Sequence, residues 1–177
     1  MNKLFPAFAA LAIASAAPLS AAPEDVLPQV GDEISKFRDA GAWTIREDKT
    51  RGSCFASYKA ESGAIVQFGF VRDETAGYLG IFSPNVAPIA PDQEVAFVAN
   101  GNIYSGVATG VGASIHDGYE GGYIVLNNVD FVKDVEKGKE LVVFPETPEA
   151  YIIDMSGASN AVYEVRKCTR ELHEKQQ

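Results

Sequence analysis

Residues 94–109 read EVAFVANGNIYSGVAT, and this stretch decides the fold class. Two alternating runs, Glu94 to Ala99 and Asn102 to Thr109, flank the dipeptide Asn100-Gly101. A two-residue type I′ turn needs positive φ at both central positions, which Asn and Gly tolerate best. The stretch therefore predicts a tight β-hairpin and an antiparallel setting for its strands.

The same pattern extends upstream. Ala42 to Glu47, Cys54 to Ala60, Ala64 to Val71 and Gly77 to Phe82 read as strands, with polar turns at Asp48 to Ser53 and at Glu61-Ser62-Gly63. Within Ala64 to Val71, the side chains of Val66, Phe68 and Phe70 point one way and those of Ile65, Gln67 and Gly69 the other. That predicts one clearly apolar face, as in a half-buried antiparallel strand. Pro84, Pro88 and Pro91 exclude a central strand over residues 84–91, which read as an extended connection.

Downstream, the glycine-rich residues 110–122 (GVGASIHDGYEGG) predict a mobile loop or bulged edge. Tyr123 to Leu126, Glu140 to Phe144 and Tyr151 to Met155 read as strands. Asn127 or Asn128 is placed to cap a helix from Val129 to Glu136, with Gly138 as its stop. Ala161, Val165, Cys168 and Leu172 recur at helical spacing, so Asn160 to Glu174 reads as an amphipathic helix. Val30, Ile34 and Phe37 recur the same way after Pro23 and Pro28, and predict a short helix ended by Gly41. The expected fold is mainly β: an antiparallel sandwich or partial barrel with a short N-terminal helix, one mid-chain helix and a C-terminal helix.

Composition narrows the function classes. The chain has 177 residues, 46% hydrophobic and 22% charged, which is globular rather than disordered or fibrous. Its 24 acidic and 15 basic side chains give a net charge of -9, against the clustered Lys and Arg that phosphate binding needs. Nucleic acid is therefore not an expected partner.

Residues 1–22 read MNKLFPAFAALAIASAAPLSAA, with a basic start at Lys3, an Ala-rich apolar run and small residues after Pro18. This is the layout of a secretory signal peptide, too short in its apolar part to span a membrane as a helix. Cleavage is expected after Ala21, with an earlier cut after Ala16 as the alternative. Residues 22–177 then form a single β-rich domain with no membrane span, located in the periplasm or secreted.

Export changes the meaning of Cys54 and Cys168. In an oxidising compartment two cysteines pair more often than they react, and neither lies in a Cys-x-x-Cys pair or beside a His. Two are also too few for a structural zinc site. A structural disulfide between Cys54 and Cys168 is expected.

Taken in order, several of these pieces resemble the invasion-associated locus B family of exported proteobacterial proteins. They are Trp43-Thr44-Ile45 followed by Cys54, the mid-chain hairpin, Phe131 to Val143 (FVKDVEKGKELVV), and Ile152 to Gly157 (IIDMSG) leading to Ala161 and Cys168. The chain departs in lacking a cysteine directly after its first strand and in a longer glycine-rich stretch around His116. The resemblance implies a periplasmic or secreted protein, linked in some members to host-cell invasion or envelope function, and it supplies no catalytic residue.

Residue chemistry supports binding over catalysis. His116 has Ser114, Asp117 and Glu120 nearby, but the nucleophile elbow Gly-x-Ser-x-Gly is absent and no calcium-loop spacing is present. Gly110-Val111-Gly112 opens no helix and is followed by no Lys, so no phosphate loop is expected. No catalytic, metal-binding or cofactor-binding residue is assigned. Tyr104, His116, Asp117, Tyr119 and Tyr123 form the candidate partner-binding surface, because tyrosines beside glycines give contact area at low entropy cost. The expected function is a non-enzymatic envelope or secreted protein that binds an envelope or host protein. The alternatives are an inhibitor of a basic host hydrolase such as lysozyme, or a small periplasmic hydrolase using His116.

Overall fold

The computed structural model describes residues 26–71, 74–84, 89–90, 92–109, 118–145 and 150–175. The expected signal peptide lies outside them, as do His116, Asp117 and most of the glycine-rich stretch. Ten strands and two helices are described. The first five strands are β1 (Ile34–Ala40), β2 (Trp43–Asp48), β3 (Ser53–Lys59), β4 (Ile65–Phe70) and β5 (Gly77–Ser83). Then come β6 (Glu94–Ala99), β7 (Asn102–Thr109), β8 (Glu120–Leu126), α1 (Val129–Lys137), β9 (Glu140–Val143), β10 (Tyr151–Asp154) and α2 (Ala158–Lys175).

All strands join one open antiparallel sheet in the order β1-β2-β3-β4-β5-β8-β7-β6-β9-β10. The first five follow one another as a meander. The hairpin β6–β7 is inserted next, with β7 against β8 and β6 against β9. Its turn is as expected: Asn100 has φ 51° and Gly101 φ 81°. The mainly β, antiparallel fold class is therefore observed, with the mid-chain and C-terminal helices in place.

The expected N-terminal helix is not. Ile34 to Ala40 form edge strand β1, and the register against β2 shifts between Lys36 and Arg38, leaving Phe37 as a bulge. The apolar spacing that imitated a helix has another origin. Ile34 packs toward one side of the sheet, Phe37 toward the other, and Val30 packs on neither. Because of the bulge, Arg38 falls on the same side as Phe37, where it pairs with Glu164 of α2 at 3.1 Å.

The β3-β4-β5-β8 part of the sheet is buried on both sides. On one, Trp43, Ile45, Ala56, Val66, Phe68 and Leu79 meet the apolar stripes of α1 and α2. Trp43 is fully buried and its indole N–H donates to the Ser156 carbonyl at 3.1 Å, which fixes the entry into α2. Cys54 of β3 and Cys168 of α2 form a disulfide with Cα atoms 6.0 Å apart, inside the range such bonds require. It closes a loop of sequence separation 114.

On the other side, Phe55, Ile65, Tyr78, Phe82 and Tyr123 form a second cluster under Val26 and Leu27. β4 is thus buried on both faces, not on one as its alternation suggested. The Ile65, Gln67 and Gly69 face is covered because glycines make room for rings. Gly69 lies under the Tyr78 ring and Gly80 under the Tyr123 ring, where a Cβ would collide with each. Tyr123 consequently crosses β5 and donates to Gln67 Oε1 at 2.7 Å.

Candidate functional site

Two of the tyrosines named in the sequence are unavailable to a partner. Tyr123 sits in the second cluster, as described. Tyr104, on β7, is buried on the opposite side, stacked on Phe97 and edge-on to Phe131. Tyr119 is half-buried, with Lys59 Nζ 5.8 Å from its ring centre. The ring area that made tyrosine attractive as a contact surface is therefore used internally.

The hydroxyl of Tyr104 belongs to a buried polar hub. Asp134 of α1 accepts from Tyr104 Oη at 2.6 Å, from Asn102 Nδ2 at 2.7 Å and from Asn100 Nδ2 at 3.1 Å. Residues 100, 102 and 104 alternate along one face of the hairpin, so one carboxylate reads all three. Burial alone would raise the Asp134 carboxyl, but the bonds from Tyr104, Asn100 and Asn102 outweigh it and hold it below its ordinary value. This hub clamps the hairpin tip to α1. Only its Asn-Gly half was legible, since nothing local in the sequence pairs Asp134 with it.

A second polar group lies where the N-terminal segment meets the sheet. Asp48 is fully buried; its Oδ1 accepts from the Arg51 backbone N–H at 3.0 Å. Arg51 Nε and the Gln29 backbone N–H both donate to Asp32 Oδ2, at 3.0 and 2.7 Å. Burial, reinforced by the adjacent Asp32 carboxylate, pushes the Asp48 carboxyl up to about 6. Burial acts on Asp32 in the same direction, but Arg51 and the Gln29 N–H win and lower it. Asp48 Oδ2 receives no donor from the described groups.

The apolar cavity between Leu79, Ile89, Phe97 and Tyr123 encloses about 30 Å³, room for a water but not a substrate. A cleft of about 300 Å³ beside α2 is lined by Phe70, Glu74, Arg166 and Thr169. Its Arg166 is engaged by Glu74 at 2.7 Å and by Glu136 of α1 at 3.2 Å, so it ties the helices to the β4–β5 turn. Among the described residues, no group of three or more His, Cys, Asp and Glu is arranged to hold a metal ion.

What is left open is the outer face of the half-sheet β7-β6-β9-β10. Ile103 lies opposite Val98, Val98 opposite Val142, and Val142 opposite Ile152, giving one continuous cross-strand row. At strand spacing the row runs roughly 15 Å. Its ends are the most open, with Ile103 71% and Ile152 63% exposed, and Val107 adds a third exposed side chain. Each of these residues fits the alternation of its own strand. The register that lines them up depends on β9 returning beside β6, which no local signal announces. Comparison with protein-family models, with curated proteins and with solved structures finds no match.

Proposed function

We propose that this chain is an exported, non-enzymatic envelope or secreted protein that acts by binding another protein. The observation that carries the reading is the row Ile103–Val98–Val142–Ile152, exposed at both ends and half-buried between them. The rest of the sheet buries its apolar side chains on two faces, and a contiguous apolar strip left open is the ordinary mark of a protein contact. The Cys54–Cys168 bond is in keeping with an oxidising compartment, and the Lys3-to-Ala21 layout with export to one. The resemblance to the invasion-associated locus B family points the same way, to the periplasm or beyond and to a role at the envelope or the host surface.

The test uses the mature protein as bait in envelope extract. The expected result is a stoichiometric protein partner, and no turnover across a panel of hydrolase substrates. A hydrolytic activity that disappears in His116→Ala would replace this reading with the enzymatic one. Intact mass of the exported protein tests the location, with Ala22 expected as the first residue.

A further inference from the structure

The four strands that carry the apolar row, β7, β6, β9 and β10, hold three charged side chains, and all are acidic: Glu94, Glu140 and Asp154. All three are exposed on the same outer face as the row. Glu140 and Asp154 are cross-strand partners and border one side of the row; Glu94, opposite Val107, borders the other. Lys137 and Lys139 lie on the same side of the row as Glu140, where with Val98, Asn100, Gly101 and Val142 they line a cleft of about 550 Å³.

The two ends of the sheet are also treated differently. Edge strand β1 carries a bulge and the charges Lys36, Arg38 and Asp39, the usual devices against strand addition. Edge strand β10, Tyr151-Ile152-Ile153-Asp154, pairs in register over its whole length with β9, and carries no bulge, proline or basic residue. Among the described strands it has no partner on its other side.

We infer that the outer face of this half-sheet, together with edge β10, is a docking site for an extended basic segment of another protein. The segment adds as a strand beside β10. An apolar side chain opposite Ile152 continues the row, and a Lys or Arg two residues along, on the same face, meets Asp154 and Glu140. The net charge of -9 steers such a segment inward and disfavours a second copy of this chain as occupant. The inference rests on the protein-binding reading and names the chemistry of the partner.

The probes are synthetic peptides: one with Val and Lys alternating at every second position and Thr between them, one with Glu in place of each Lys, and one holding the same Lys and Val residues in separate blocks. Titration against the mature protein should show binding of the first alone. Ile152→Lys, at an exposed position, should weaken that binding about tenfold or more, a loss on the scale of 1.4 kcal/mol. Glu140→Gln with Asp154→Asn should weaken it comparably while keeping the Asp154 oxygen that accepts from Ser156. This pair serves as the second variant if Ile152→Lys melts early. No binding of the Lys–Val peptide, equal binding of the Glu–Val or block peptide, or insensitivity to both variants would overturn the inference. So would a concentration-dependent dimer in sedimentation that Ile152→Lys abolishes, which would assign the face to a second copy. If envelope extract yields a partner whose capture ignores Ile152→Lys, this inference fails and the protein-binding reading stands; if it yields none, that reading fails.

Discussion

Tyr123 donates its phenolic proton to Oε1 of Gln67 at 2.7 Å, although a whole strand, β5, runs between them. The contact exists because the intervening residue is Gly80, paired with Gln67 on one side and Tyr123 on the other. A ring lying across a glycine in mid-sheet restores the packing that the missing side chain forgoes. It also brings a hydroxyl to a fully buried amide that needs a donor nearby.

Gly80→Ala should therefore destabilise the protein by about 1–3 kcal/mol, because its Cβ would meet the Tyr123 ring and approach Phe82 at 3.0 Å. Urea unfolding measures the difference. An unchanged midpoint would mean that the second face is loosely packed.

Reduction of Cys54–Cys168 should lower stability by up to ~4–5 kcal/mol, the chain-entropy value for so long a loop. The loss should begin at α2, whose far end is charged and whose attachment depends on a narrow buried stripe. Amide hydrogen exchange with and without reductant locates it. Equal protection of α2 in both states would show that Trp43 and the apolar stripe suffice.

The Asp48 carboxyl makes stability depend on pH in an unusual direction. Its folded-state value, about 6, lies above its ordinary 3.8, so the folded protein binds this proton more tightly than the unfolded chain. That contribution is present at low pH and is lost as pH rises through about 6. Asp32 acts oppositely, losing its contribution only as pH falls below its ordinary value. Between about pH 4 and 7 the Asp48 effect decides, and stability should fall across that window. Asp48→Asn keeps the acceptor for the Arg51 N–H and removes the charge; at pH 7.5 it should stabilise by ~1–3 kcal/mol. Denaturant midpoints at both ends of the window check the sign, and a variant less stable than the parent at pH 7.5 would reverse the assignment.

Gly101→Val should cost about 1–3 kcal/mol through backbone conformation alone. The added Cβ meets nothing within 4 Å, but φ at this position is 81°. Thermal melts compare it with Gly63→Val, another positive-φ turn with open space, for which a similar loss is expected.

The hairpin was legible in the sequence because everything that defines it lies within residues 94–109, and its observed strand bounds match the expected ones. The mid-chain helix was legible for the same reason: Asn128 caps it locally, accepting from the Asp130 N–H. Ile34 and Phe37 misled because three-residue spacing also arises when a bulged edge strand feeds two cores. Gln67 and Gly69 misled because a polar and a small residue read as solvated, whereas distant rings cover them. Two residues of the candidate surface, Tyr104 and Tyr123, are buried for a related reason. Tyr104 was recruited by Asp134 from a helix that follows it, and the apolar row is assembled by long-range register.

Cys54 and Cys168 embrace β3 through most of α2 within one covalent circuit. A single break in the backbone anywhere between them leaves both halves tied together, so a nicked molecule keeps its full mass on a non-reducing gel and separates only when the sulfurs are reduced. For a protein expected to meet proteases outside the cytoplasm, the bond acts as a tether that turns a cut into a change of connectivity, with no fragment released.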